Sequence, residues 1–219
     1  TRRLDTPERI RYVARTIVEA PGLLRLDRQD RTDFLRHFYR RYEHAPKEQI
    51  ETDAQEMLTQ LILTKSFPAG LRRVREHRAL GHRTILITGA LDFAVAGLRP
   101  MFDEIVAAQM TVRPDGTLSG EMHSVPPTGE ARAQILTDYC EAEGLDISNS
   151  VAYADSSSDL PLFEAVGFPV DVNPETRLAT IARKRGWLVE HWSKSAGAPK
   201  PLLPIGELMT ERERRRKFA

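Results

Sequence analysis

The sequence predicts an α/β protein with a mainly parallel sheet, preceded by an all-helical N-terminal segment. Three observations carry this reading. Residues 6 to 80 place their apolar side chains at helical spacing only. From residue 83 onward, short apolar runs alternate with amphipathic segments, the pattern of parallel strands joined by right-handed helical crossovers. Two of the apolar runs stop at residues suited to a ligand, Thr88-Gly89 and Asp155, and in open α/β sheets ligands bind beyond the carboxyl ends of strands.

Taken in order, the first helix opens at Thr6-Pro7-Glu8, with a capping hydroxyl and proline at the first position. Ile10, Val13, Ala14, Ile17 and Val18 fall on one face, and Pro21-Gly22 is expected to break the helix. A second helix carries Phe34, Leu35, Phe38, Tyr39 and Tyr42. A third follows Pro46, with Ile50, Ala54, Met57, Leu58, Leu61 and Ile62. These three read as a small bundle. A fourth helix runs from Ala69 to Leu80 and ends at Gly81.

The strand-bearing part begins with Arg83 to Gly89. A helix over Leu91–Leu98, a short strand over Phe102–Ala107 and a hairpin from Met110 to Met122 turning at Pro114-Asp115-Gly116 follow. Gly129 to Glu143 reads as a helix closed by Gly144. Val151 to Ala154 is a buried strand, and Leu160 to Val166 is amphipathic and ends at Gly167. Phe168–Val172 is a strand, Pro174–Arg185 a helix ended by Gly186, and Leu188–Trp192 a last strand. There is no internal repeat. The chain divides by pattern into residues 1–66, 67–192 and a proline-containing, then charged, tail over 193–219.

Bulk properties narrow the classes. At 219 residues the chain can bury one large or two small cores, and its 41% hydrophobic content is ordinary for a globular protein. The formal net charge of +1 gives no argument for nucleic acid or a membrane surface. A single cysteine, Cys140, excludes an internal disulfide and fits the reducing cytoplasm. No run approaches the ~20 apolar residues of a membrane span, and no signal peptide opens the sequence.

The chemistry concentrates in Val151-Ala152-Tyr153-Ala154-Asp155-Ser156-Ser157-Ser158-Asp159-Leu160-Pro161. Two carboxylates four residues apart on one tight loop make a hard-oxygen site suited to Mg²⁺. The same residues also read as a helix cap and a first-turn acid. The rest of the chain shifts the balance toward a ligand site. Thr88 and Gly89 can hold a phosphate oxygen with a hydroxyl and a backbone N–H, and Arg132, at the start of its helix, can neutralise another. A metal is needed in such a site. Carboxylate and phosphate ~4 Å apart repel by about 4 kcal/mol at an effective dielectric near 20, and a divalent ion turns this into attraction. On the N-terminal helices, Arg36, Tyr39 and Arg40 form a basic, aromatic stripe that reads either as half core and half solvated face or as substrate-facing.

Three segments resemble the second, third and fourth motifs of the haloacid dehalogenase superfamily: Ile85-Leu86-Ile87-Thr88-Gly89-Ala90, Gly129-Glu130-Ala131-Arg132 and Ala154-Asp155-Ser156-Ser157-Ser158-Asp159-Leu160-Pro161. The continuation Glu164 to Pro174 is similar to the phosphoserine-phosphatase-like branch, subfamily IB. The resemblance covers roughly residues 6 to 192. It implies a Rossmann-like core with a helical cap, here residues 1–66, inserted after the first strand. It implies that Thr88 and Gly89 bind phosphate, that Arg132 replaces the usual phosphate-stabilising lysine, that Asp155 ligates Mg²⁺ and that Asp159 supports the metal site. The expected reaction is hydrolysis of a small phosphomonoester through an aspartyl-phosphate.

The family's nucleophile lies in an Asp-x-Asp-x-Thr motif after an apolar strand, and this sequence has no such motif. Leu4-Asp5-Thr6-Pro7 has one acid, no preceding strand and a helix start. Loss of a central strand leaves backbone groups unpaired on both neighbours, at ~1–3 kcal/mol each. The total, about 10 kcal/mol or more, rivals the ~5–15 kcal/mol of a whole fold. The sheet is therefore expected to be completed by an upstream segment or a partner chain, and the chain alone to be inactive. The alternatives are a non-catalytic accessory domain of a larger lipid- or acyl-metabolising protein, as in relatives fused to acyltransferase or reductase domains, and a nucleotide- or phosphate-binding sensor on the same α/β frame.

Overall fold

The computed structural model describes residues 5–195, side chains at 9, 28 and 59–64 excepted. Eight α-helices and seven strands follow in the order α1 (Thr6–Gln29), α2 (Arg31–Tyr39), α3 (Lys47–Lys65), α4 (Pro68–Ala79), β1 (Ile85–Leu91), α5 (Asp92–Val95), β2 (Glu104–Ala108), β3 (Met110–Val112), β4 (Leu118–Met122), α6 (Glu130–Glu143), β5 (Val151–Ala154), α7 (Leu160–Ala165), β6 (Phe168–Val172), α8 (Thr176–Arg185) and β7 (Leu188–Glu190).

Local chemistry sets the element ends. The Asp5 carboxylate, rather than the Thr6 hydroxyl, caps α1 by accepting from the Glu8 N–H at 2.9 Å. Asp30 caps α2 by accepting from the N–H groups of Thr32 and Asp33. Gly144 and Gly186 end α6 and α8 in the left-handed conformation, at φ 65° and 69°, where a side chain is unfavourable.

Two expectations are corrected. Helix α1 does not break at Pro21-Gly22 but runs through Pro21 to Gln29. Proline forfeits one intrahelical hydrogen bond, and contact with α2 carries the helix past it. Nor do the first three helices form a bundle with its own core. Ile10, Val13, Ile17 and Val18 are exposed, because α1 lies on α2 through the opposite side, where Thr16, Glu19, Leu23 and Leu26 are half-buried. Leu35 and Tyr39 of α2 instead share one core cluster with Leu91, Phe93, Ala108 and Leu118, and Ile50 and Ala54 of α3 pack against it. The side chains of Leu61 and Ile62, and the tail from residue 196, lie outside the described residues.

The strands are parallel where expected, but they form two separate sheets. Strand β1 pairs β2 in parallel, with Ile85 opposite Glu104 and Thr88 opposite Ala107. Strands β5, β6 and β7 pair in that order, also parallel. The hairpin β3–β4 is antiparallel. Among the described residues nothing pairs with the second edge of β1 or of β5. The two edges nevertheless face a common frame. Ile85 and Ile87 of β1 pack on the same cluster as Ala152 and Ala154 of β5, together with Leu136 and Cys140 of α6. Successive side chains of a strand point to opposite faces, so Tyr153 faces away from that cluster. Its hydroxyl shares a 2.8 Å hydrogen bond with His77 Nε2 of α4. Helix α4 is also held to the three-stranded sheet by Arg73, whose guanidinium donates to Glu190 at 2.8 Å. The result is an open lane between β1 and β5, with α4 on one face and α6 on the other.

Candidate functional site

The carboxyl ends of β1 and β5 meet at three loops. The β1–β2 register slips between Thr88 and Leu91, so the backbone at Gly89 and Ala90 leaves the ladder as a bulge. The Ala90 N–H donates to the Thr88 hydroxyl oxygen at 3.1 Å, which leaves the hydroxyl proton for a ligand acceptor. Gly89 is glycine for a steric reason. A Cβ there would sit 2.7 Å from Leu35 Cδ1 and 3.2 Å from Thr128 Cγ2, below ordinary contact distance.

The second loop, residues 123–129, delivers Thr128 and Arg132. Thr128 is buried, and its hydroxyl lies 2.7 Å from that of Thr32 on α2. Arg132 Nε donates to the Pro127 carbonyl at 3.0 Å, and its Nη1 donates to Asp159 Oδ1 in a short ion pair. Arg132 is thereby held by two partners.

The third loop follows β5. Ser156 turns the chain by accepting from the Ser158 N–H at 3.3 Å, and the Glu175 carboxylate accepts from the Ser157 N–H at 2.9 Å. Asp155 is exposed at the strand end, whereas Asp159 is buried. Burial pushes the Asp159 carboxyl above its ordinary range, the Arg132 guanidinium pulls it back, and the Asp155 charge pushes it up again. The two acids therefore feel each other, but they do different work: Asp159 orients Arg132, and Asp155 is open to an external ligand.

The structure thus links Thr88 and Gly89, through Thr128 and Pro127, to Arg132, Asp159 and Asp155. The cap candidates are more dispersed. Tyr39 is buried and its hydroxyl donates to the Gly89 carbonyl at 2.8 Å; burial raises its pKa to about 12. It is a brace between α2 and the β1 bulge. Arg36 is exposed, 3.4 Å from Asp33, and Arg40 is exposed beside Gly120.

Three residues at this centre escaped the sequence reading: Thr32, Thr128 and Asp171. The spacing of Thr32, Leu35 and Tyr39 on one helical face was the available signal for the first. Asp171 of β6 sits opposite Ala154 in the ladder, fully buried, with both carboxylate oxygens unpartnered among the described residues. Burial first, then the Asp155 and Glu175 charges, push it up to about 6.

Among the described residues no group of three or more His, Cys, Asp or Glu side chains is arranged to hold a metal. Mg²⁺, however, usually takes only one or two carboxylates and fills its octahedron with phosphate oxygens and waters. Exposed Asp155, backed by buried Asp171 whose oxygens have no hydrogen-bond partner among the described residues, fits as a partial ligand set of that kind.

Residues 2–164 match the family haloacid dehalogenase-like hydrolase. The chain belongs to this family. It is 30% identical over 142 residues to the "Inhibition of morphological differentiation protein" of Streptomyces azureus, covering 64% of this chain and 51% of that protein. It is 26% identical over 148 residues to the histidinol-phosphatase of Neisseria meningitidis serogroup C, covering 65% and 67%. Among solved structures, the probable phosphoserine phosphatase of Vibrio cholerae superposes with a TM-score of 0.65 at 17% identity, over 88% of this chain and 59% of that one. The matches thus span about half to two thirds of the curated relatives' length. The family and the Rossmann-like α/β fold stand together on these likenesses.

Proposed function

We propose that this chain is the larger part of a Mg²⁺-dependent phosphomonoesterase acting on a small phosphorylated substrate through an aspartyl-phosphate, with the nucleophile on a strand outside residues 1–219. The observation that carries this reading is the lane between β1 and β5, framed by α4 and α6. A parallel strand entering it would run its carboxyl end toward Thr88, Arg132 and Asp155 and place an aspartate among them. Each edge offers about four backbone groups to such a strand, and at ~0.5–1.5 kcal/mol per hydrogen bond the insertion contributes roughly 4–12 kcal/mol. That compares with a whole-fold stability of ~5–15 kcal/mol.

In this reading Thr88 and Gly89 hold one phosphate oxygen, and Arg132, fixed by Asp159 and Pro127, neutralises another. Asp155 is a metal ligand and Asp159 supports the site. Bound Mg²⁺ supplies the positive charge that reconciles phosphate with the carboxylates. The nucleophilic carboxylate would attack phosphorus while the second aspartate of the same motif gives its proton to the departing alcohol; that aspartate would then take a proton from the water that cleaves the acyl phosphate and releases inorganic phosphate. Residues 1–66 act as the cap. A cytoplasmic setting suits the buried free thiol of Cys140, and among the described residues no helix is long and apolar enough to cross a membrane. The relatives give no support to the accessory-domain alternative.

The test joins the chain to its preceding segment. Alone, the 219-residue chain should release no phosphate from p-nitrophenyl phosphate and should lack a cooperative unfolding transition; joined to an Asp-x-Asp-x-Thr strand, it should gain both. Steady turnover by the purified chain alone, or cooperative unfolding of the chain as a monomer, would overturn the proposal.

A further inference from the structure

The chain leaving β7 returns to the junction between α3 and α4. Ser66 ends α3 and Phe67 precedes α4. The Ser195 N–H donates to the Ser66 carbonyl at 2.8 Å, and Lys194 Nζ stands 5.9 Å from the Phe67 ring centre. Trp192 lies so close on Gly70 of α4 that a Cβ there would fall 2.8 Å from its Cζ3. The indole Nε1 donates to Glu190 at 2.6 Å, and the ring meets that of Tyr153 with centres 5.8 Å apart. Residues 192–195 thus form a strap across the point where residues 1–66 join the α/β part.

Asn173 holds this strap. Its Nδ2 donates to the Trp192 carbonyl and its Oδ1 accepts from the Trp192 N–H, both at 2.9 Å. Its own N–H donates to the Glu190 carbonyl at 2.9 Å. Asn173 has a φ of 49°, a left-handed conformation that asparagine tolerates better than most residues but that glycine adopts freely. Glycine would suit this backbone and would lose both side-chain bonds. Two residues on, the same turn holds the site. The Glu175 N–H donates to the Asp155 carbonyl at 3.2 Å, and the Glu175 carboxylate accepts from the Ser157 N–H at 2.9 Å. Asn173-Pro174-Glu175 is therefore fastened on one side to the loop that carries Asp155 and on the other to the strap.

We propose that Asn173 is a positioning residue: it ties the strap to the Asp155 loop, and the strap fixes where residues 1–66 stand over the site. The inference rests on the reading of residues 1–66 as a cap and of Asp155 as part of the ligand site. A ligand that orders the Asp155 loop steadies the strap through this turn, and a loosened strap weakens the hold on that ligand through the same coupling.

The test is hydrogen exchange at the Trp192 and Ser195 amides of the chain joined to its preceding strand, with and without Mg²⁺ and inorganic phosphate. Asn173→Gly keeps the turn and removes both side-chain bonds, so both amides should exchange about tenfold faster or more, the worth of two hydrogen bonds. Asn173→Asp keeps the acceptor, loses the donor and should fall between. Gly70→Ala favours the helical state of α4 yet displaces the Trp192 ring, so it should quicken exchange at Ser195 without lowering the denaturant midpoint. In the unsubstituted protein Mg²⁺ with phosphate should slow both amides. Asn173→Gly should lose that slowing while calorimetry still records binding. Unchanged exchange in Asn173→Gly, or ligand slowing that survives it, overturns the inference. Binding without slowing in the unsubstituted protein also overturns it and leaves the phosphatase reading standing; no binding at all overturns both.

Discussion

Replacing Asp171 by asparagine tests the electrostatics of the site most directly. Its carboxylate is fully buried, finds no hydrogen-bond donor among the described residues, and faces the negative charges of Asp155 and Glu175, with His191 in partial compensation. These raise its pKa from 3.8 to about 6. A rise of about two pH units, at about 1.4 kcal/mol each, is worth about 3 kcal/mol. The sign follows from proton counting. Between pH ~4 and ~6 the folded state keeps the proton that the unfolded state has released, so stability falls as pH rises through this window and is flat above it. Asparagine has the shape of the protonated acid without its titration. Asp171→Asn should therefore match the wild type near pH 4 and exceed it by up to about 3 kcal/mol at pH 7.5. Urea unfolding of both proteins with the sheet completed, followed by Trp187 and Trp192 emission, measures the difference. A stability difference that does not change between pH 4 and pH 7.5 would refute the argument.

Three further outcomes are expected. Arg132→Ala should cost about 3–5 kcal/mol by leaving Asp159 buried and unpaired, and the double variant Arg132→Ala/Asp159→Asn should recover part of it; an additive double-mutant cycle would contradict the pairing. Gly167→Ala should destabilise the fold by about 3 kcal/mol or more, since the added Cβ would fall 1.8 Å from the Ser148 carbonyl oxygen and backbone cannot yield cheaply; denaturant midpoints decide it. Mg²⁺ at ten times its dissociation constant should stabilise the protein by about 1.4 kcal/mol. Asp155→Asn should lose that increment, and equal stabilisation of both proteins in thermal melts would remove Asp155 from the ligand set.

What the sequence made legible was governed by local rules, and what it hid was governed by contact between distant segments. The strands around Thr88 and Asp155 and the helix ends at Gly144 and Gly186 follow from apolar runs and from glycine's tolerance of positive φ, and they stand where the pattern puts them. The course of α1 does not follow from such rules: packing on α2 carries it through Pro21. Its apolar stripe is outside, because periodicity identifies a face without naming what covers it. The same limit explains the site. Thr88, Arg132 and Asp155 were singled out by residue type at strand and helix ends, and the structure brings their loops together. Tyr39 looked like a ligand-facing aromatic, and only the fold shows its hydroxyl turned to the Gly89 carbonyl. Asp171 reads as an ordinary strand residue until β6 is laid beside β5, when it becomes a buried charge next to Asp155. The lane between β1 and β5 joins the two kinds of evidence. The absent motif in the sequence and the β1 and β5 edges left unpaired among the described residues are independent observations, one of residue type and one of backbone pairing, and the strand proposed above would account for both.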